Sequence, residues 1–130
     1  MSLALERVTV GDASSVYINA HGTGTLMNDP TETKAIRAIF GADADDLVVS
    51  STKSMHGHLL GAAGGIECIA AILALNNNVA PPTMNYDEPD PECDLNYAPN
   101  EAVERKIDLA ISNSFAFGGL NAVVAFEKAA

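Results

Sequence analysis

Residues 61–75 constrain the fold more than any other stretch of this chain. GAAGGIECIAAILAL, wound as a helix, is apolar on nearly every side. Gly61, Gly64 and Gly65 would each cost an isolated helix about 1 kcal/mol where they fall in its interior. Such a helix persists only inside a tight core, where these glycines, with Ala62, Ala63, Ala70 and Ala71, let neighbouring backbones come close. Glu67 is its one charge and needs a partner. Lys53 is the obvious candidate, which would make the pair structural and orienting at once. Asn76, Asn77 and Asn78 end the helix. The wider apolar run 59–75 is broken by Glu67 and by glycines, so it reads as a core helix and not a membrane span.

A chain of 130 residues, 48% hydrophobic and 18% charged, suits one folded domain over 1–130. Its 7 Lys+Arg against 17 Asp+Glu give a formal net charge of -10. That argues against nucleic acid, because phosphate binding depends on clustered cations, and against an anionic membrane surface. An acidic partner would have to meet a local basic patch, at Lys34 and Arg37 or at Arg105 and Lys106. Cys68 and Cys93 are too few for a disulfide framework, and a reducing cytoplasm is the simpler setting. Residues 1–7 lack the basic and apolar segments of a signal peptide.

Strand and helix signals alternate along the chain. Residues 16–20 (VYINA) read as a short buried strand, and 47–51 as a second. Between them Asp29 caps a helix, Pro30 takes its first position, Glu32 completes a capping-box-like pair, and Gly41 stops it. Ala35, Ile36, Ile39 and Phe40 form its apolar stripe. Residues 80–100 hold five of the six prolines and read as an ordered surface loop. Strands at 107–113 and 122–127 are joined by Phe117-Gly118-Gly119-Leu120-Asn121 as an antiparallel hairpin. The order β-α-β-α-loop-β-β predicts an α/β fold, with a mixed, mostly parallel sheet, helices packed on it and a C-terminal antiparallel hairpin.

Three glycine-bearing motifs follow strand ends, where the chemistry of such sheets collects. They are His21-Gly22-Thr23-Gly24-Thr25, Lys53-Ser54-Met55-His56-Gly57-His58 and Asn113-Ser114-Phe115-Ala116-Phe117-Gly118-Gly119. His21 would aim into a cleft lined by the Thr23 and Thr25 hydroxyls. A neighbouring Lys53 ammonium would hold His58 neutral, and a neutral imidazole can donate to a carbonyl that becomes an oxyanion. Asp29 has a sufficient role as a cap and is also placed to brace the His21 loop. His56 reads as a bystander. A zinc site from His21, His56, His58 and a carboxylate is the rival use, but glycine-flanked loops beside a lysine favour an oxyanion over a cation. Cys68 lacks an electropositive setting, and the acidic loop would raise the Cys93 pKa, so neither is an activated nucleophile.

Asn19-Ala20-His21-Gly22-Thr23-Gly24-Thr25, Lys53-Ser54-x-x-Gly57-His58 and Asn113-Ser114-Phe115-x-Phe117-Gly118-Gly119 together resemble β-ketoacyl-acyl-carrier-protein synthases of the elongating, two-histidine type. The likeness covers nearly the whole chain and is limited to the C-terminal half of such an enzyme. It implies one half of a thiolase-like fold, an acyl-carrier protein bearing a phosphopantetheine-linked substrate as partner, a homodimeric full enzyme and no cofactor or metal. It also implies an N-terminal ketosynthase half, expected outside this chain, whose cysteine takes the acyl group. The reaction implied is decarboxylative condensation with malonyl-carrier protein. By motif, His21 and His58 would be the catalytic histidines, Lys53 the orienting charge and Glu67 its support. Thr23 and Thr25 would contact the pantetheine arm, while Phe115, Phe117, Gly118 and Gly119 would line the acyl pocket, with Phe117 as its gate. Ala116 stands where many relatives carry glycine, Leu120 replaces a common threonine, and the segment before Val16 is short.

Overall fold

Four strands form one sheet in the order β2-β1-β5-β6. The computed structural model describes residues 1–128. β1 (Val16–Asn19) lies between β2 (Val48–Ser50) and β5 (Leu109–Ala116), parallel to both. β6 (Leu120–Glu127) returns antiparallel to β5 across a turn at Phe117–Gly119. The mixed sheet and terminal hairpin are therefore as the pattern predicts, though β5 runs farther toward the turn than expected. Gly118 and Gly119 both take positive φ, 78° and 80°, which makes the tight reversal possible.

Helices cover both faces because the strands are apolar on both. On one face Val16, Ile18, Val49, Leu109 and Ile111 pack with Ile36 of α2 (Asn28–Phe40). On the other, Tyr17, Val48 and Ala110 pack with Ala71, Ala74 and Leu75 of α4 (Ala63–Asn77). Each large side chain buried this way contributes about 1.5–3 kcal/mol. α1 (Ser2–Leu5) is a remnant helix whose Leu5 reaches the first of these clusters.

Several local expectations change. The capping box at α2 does not form: the helix begins at Asn28, its cap residue Met27 makes no side-chain capping bond, and Asp29 lies inside the first turn. Its inward stripe is Glu32, Thr33 and Ile36, whereas Ala35 and Ile39 face outward. Lys53–His56 is a short helix, α3, and not a loop. Val79–Ala80 and Val103–Glu104 form a small second sheet, β3 with β4, that pins the two ends of the proline-rich loop.

The apolar helix departs furthest. A 3-10 turn at Leu60–Ala62 precedes α4, and left-handed Asn78 closes it, as its asparagines predict. Only one side of α4 is buried. Ile66, Ile69 (59% exposed), Ile72 and Leu73 (54%) face outward, and a Cβ at Gly61 or Gly65 would point into open space. By length and composition alone Leu60–Asn77 could cross a bilayer. Its inner side, however, is committed to the sheet, and its only charge is paired with Lys53.

Candidate active site

The C-terminal ends of β1, β2 and β5 carry the three motifs to one edge of the sheet, so topology alone brings them together. The first turn is held on every side. His21 and Gly22 donate their backbone N–H groups to the Glu32 carboxylate, at 2.9 and 3.0 Å. Asn113 of β5 donates to the same carboxylate at 3.0 Å. Ser51 Oγ donates to the Gly22 carbonyl at 2.8 Å, and Gly24 N–H donates to Asp29 at 3.1 Å. Gly22 has φ +40°, and a Cβ there would lie 2.5 Å from Ser51 Cβ, so glycine is required. Thr23 and Thr25 pair their hydroxyls at 3.2 Å on the outer side of this turn.

His21 itself is buried, and its Nδ1 has no protein partner. Burial foremost, then the Lys53 charge and His58, pull its pKa down from 6.5 to about 4, with Asp29 opposing weakly. The depression that sequence reasoning expected of a histidine beside Lys53 thus falls on His21. The Lys53 ammonium meets the Glu67 carboxylate directly, and both side chains are almost wholly buried. Glu67 Oε2 and Asn113 Oδ1 remain without partners nearby.

The second turn is open. Gly57 N–H closes α3 onto the Lys53 carbonyl at 2.8 Å, and Gly57 turns the chain with φ 75°. His58 emerges exposed, its ring centroid 5.5 Å from that of His21 at an interplanar angle of 86°. Leu60 N–H donates to His58 Nδ1 at 3.2 Å. A neutral His58 therefore carries its proton on Nε2, leaving an N–H free to donate.

The third motif is only partly assembled. Phe115 packs 5.7 Å from His21, whereas Phe117 is fully exposed and touches neither histidine turn. Gly118 and Gly119 shape the turn that holds it out. Beside His58, a cleft of about 380 Å³ is lined by Thr23, Lys53 and His58, with Met84, Tyr86 and Tyr97 of the proline-rich loop as a further wall; His21 and Thr25, expected to face such a cleft, do not line it. The proline-rich loop forming that wall is ordered. Met84 N–H donates to Ser54 Oγ, Tyr97 hydrogen-bonds Thr33, and Arg37 pairs with Asp94.

Sequence reasoning missed Glu32, Asn19, Ser51 and Thr52. Glu32 was legible in retrospect, because it shares the four-residue spacing of Ile36 and Phe40 and so faces inward. Three of the four residues of the expected basic patches are ion-paired, Lys34 with Glu92, Arg37 with Asp94 and Asp45, and Lys106 with Asp108, whereas Arg105 donates to the Asp46 carbonyl. The Cys93 pKa is raised, chiefly by burial and only secondarily by its acidic neighbours. Both cysteines are free. Among the described residues, no three His, Cys, Asp or Glu side chains gather as a metal site.

Residues 1–87 match the family model for the β-ketoacyl synthase C-terminal domain. Nodulation protein E of Rhizobium sp. (strain N33) is 57% identical over 112 residues, covering 86% of this chain and 28% of that protein. 3-Oxoacyl-[acyl-carrier-protein] synthase 2 of Synechocystis sp. is 54% identical over 112 residues, covering 86% and 27% respectively. A type II polyketide ketosynthase, solved with its acyl-carrier protein and bound to the hexaketide, superposes with a TM-score of 0.92 at 37% identity. That match covers 98% of this chain and 31% of that one. The chain thus spans under a third of the length of the relatives it matches, and its fold is that of the corresponding C-terminal part of a thiolase-like ketosynthase. With both histidine turns inside the matched segment, the chain belongs to the β-ketoacyl synthase C-terminal domain family.

Proposed function

We propose that this chain supplies the histidine half of a condensing enzyme that extends an acyl thioester with malonyl-carrier protein in fatty acid biosynthesis. The observation that carries this reading is the bond from Leu60 N–H to His58 Nδ1, which frees Nε2–H beside a buried His21 that burial keeps neutral. Two imidazoles at this separation can both face one thioester carbonyl.

Loss of carbon dioxide from a malonyl thioester breaks a C–C bond and leaves its electron pair on the α-carbon and the thioester oxygen. His58 Nε2–H, with the Lys53 charge behind His21, stabilises that oxygen as it becomes negative. The carbanion then attacks the acyl thioester, a new C–C bond forms, and the cysteine thiolate of the complementary half leaves. Glu67 keeps the Lys53 ammonium in place, and Thr23 and Thr25 line the route of the pantetheine arm. Phe117 gates the acyl pocket once the other half packs against it.

The exposed apolar side of α4 fits that other half as its cover. The full enzyme works as a homodimer in the cytoplasm, where Cys68 and Cys93 stay reduced. The polyketide neighbour favours a second reading, in which the same decarboxylation feeds polyketide extension. Alone, the chain behaves as a non-catalytic piece.

Reconstitution tests this. In complex with a cysteine-bearing ketosynthase half, the chain should decarboxylate malonyl thioester, and His58→Ala should abolish that reaction. Unchanged decarboxylation by His58→Ala would sink the assignment, and turnover by the isolated chain would refute its need for another half.

A further inference from the structure

His56, which the sequence casts as a bystander, is hydrogen-bonded through both ring nitrogens. Nδ1 lies 2.8 Å from the Gly57 carbonyl, and Nε2 lies 3.2 Å from Thr52 Oγ1. A carbonyl only accepts, so Nδ1 carries the proton and donates to Gly57, while Nε2 faces a Thr52 hydroxyl whose single proton is shared between it and Asn19 Oδ1, 3.3 Å away. Thr52 Oγ1 in turn accepts from Asn19 Nδ2 at 3.0 Å, and Thr52 N–H donates to Asn19 Oδ1 at 3.3 Å. Thr52 and Asn19 are buried, and Asn19 is the last residue of β1, two positions before His21.

The ring therefore spans α3, from the residue before its start to the glycine after its end. That glycine, at φ 75° and ψ 177°, is the one link between α3 and His58. Because its φ is open to few residues but easy for glycine to leave, its carbonyl needs an external hold. His56 supplies it, and through Thr52 and Asn19 ties the hold to the strand that carries the other histidine. Both ring nitrogens thus face protein atoms of this network.

We infer that His56 is a positioning residue, pinning the Gly57 peptide to the end of β1 and so fixing where His58 presents its Nε2–H. The inference rests on the reading of His58 as the hydrogen-bond donor. Its test uses the chain assembled with its complementary ketosynthase half. His56→Ala should lower kcat for malonyl thioester decarboxylation about tenfold while leaving KM within about twofold. His56→Asn, whose Nδ2 can still donate to the Gly57 carbonyl, should recover most of kcat. The His58→Ala control separates the two levels. If His58→Ala abolishes decarboxylation while His56→Ala keeps wild-type kcat, the positioning role is overturned and the donor reading stands. If His58→Ala is itself without effect, both are overturned. A fall in kcat that tracks lost thermal stability and is not restored by His56→Asn would reduce His56 to a structural residue and also overturn the inference.

Discussion

The two histidine turns stand 5.5 Å apart, ring to ring, yet they are built on opposite plans. The His21 turn is locked: Glu32 takes two of its backbone N–H groups, Ser51 holds a carbonyl, Asp29 holds Gly24, and the imidazole is buried. The His58 turn is open: its imidazole is exposed and has one hydrogen bond, from Leu60 N–H. The contrast divides the labour. Burial gives His21 a depressed pKa and a fixed position, while exposure leaves His58 with its Nε2 open to solvent. Lys53 serves both plans, buried against Glu67 yet placed at the start of the helix that leads to His58.

The contrast can be broken by substitution. Glu67→Ala would strand the buried Lys53 ammonium and should cost about 3–5 kcal/mol of stability, read as a fall in urea midpoint. Gly22→Ala attacks the locked turn directly. With φ +40° and Ser51 in the way of a Cβ, it should cost about 2–3 kcal/mol in the same measurement. Thr25→Ala removes the hydroxyl that accepts from Asn28 N–H on the exposed side and should cost only about 0.5–1 kcal/mol. His58→Ala, on the open turn, should change stability by less than about 0.5 kcal/mol even as it removes activity. Equal sensitivity of the two turns would erase the distinction between them.

Acid sharpens the same comparison. The folded protein holds the His21 pKa near 4, below its ordinary 6.5. Between those values the unfolded chain binds the proton and the folded one does not. The stability due to a neutral, buried His21 is thus complete above about pH 6.5, and it is lost as pH falls toward 4. Unfolding midpoints across that window should decline in the wild-type enzyme and decline less in His21→Gln.

The sequence made the sheet legible because its signals are local: short β-rich runs, glycine stops and a glycine-paired hairpin. It also exposed the Lys53–Glu67 pair, since a lone carboxylate in an apolar helix demands a cation. What it hid lies in side chains with two plausible uses. Glu32 fits a capping box as well as a buried acceptor, and only the inward turn of α2 decides between them. His56 looks solvated until Thr52 and Asn19 are placed beside it. The apolar girth of α4 was read as a demand for burial on every side, but this chain meets that demand on one side alone, with Ile66, Ile69, Ile72 and Leu73 exposed on the other.

The most direct test of two differently built histidines is a side-chain nitrogen NMR spectrum of the assembled enzyme at about pH 5.5, with His21→Gln and His58→Ala as assignments. The account predicts that His21 is still neutral there, since its pKa lies near 4. It also predicts that at neutral pH His58 carries its proton on Nε2. A charged His21 at pH 5.5, or a His58 protonated on Nδ1 alone, would contradict it.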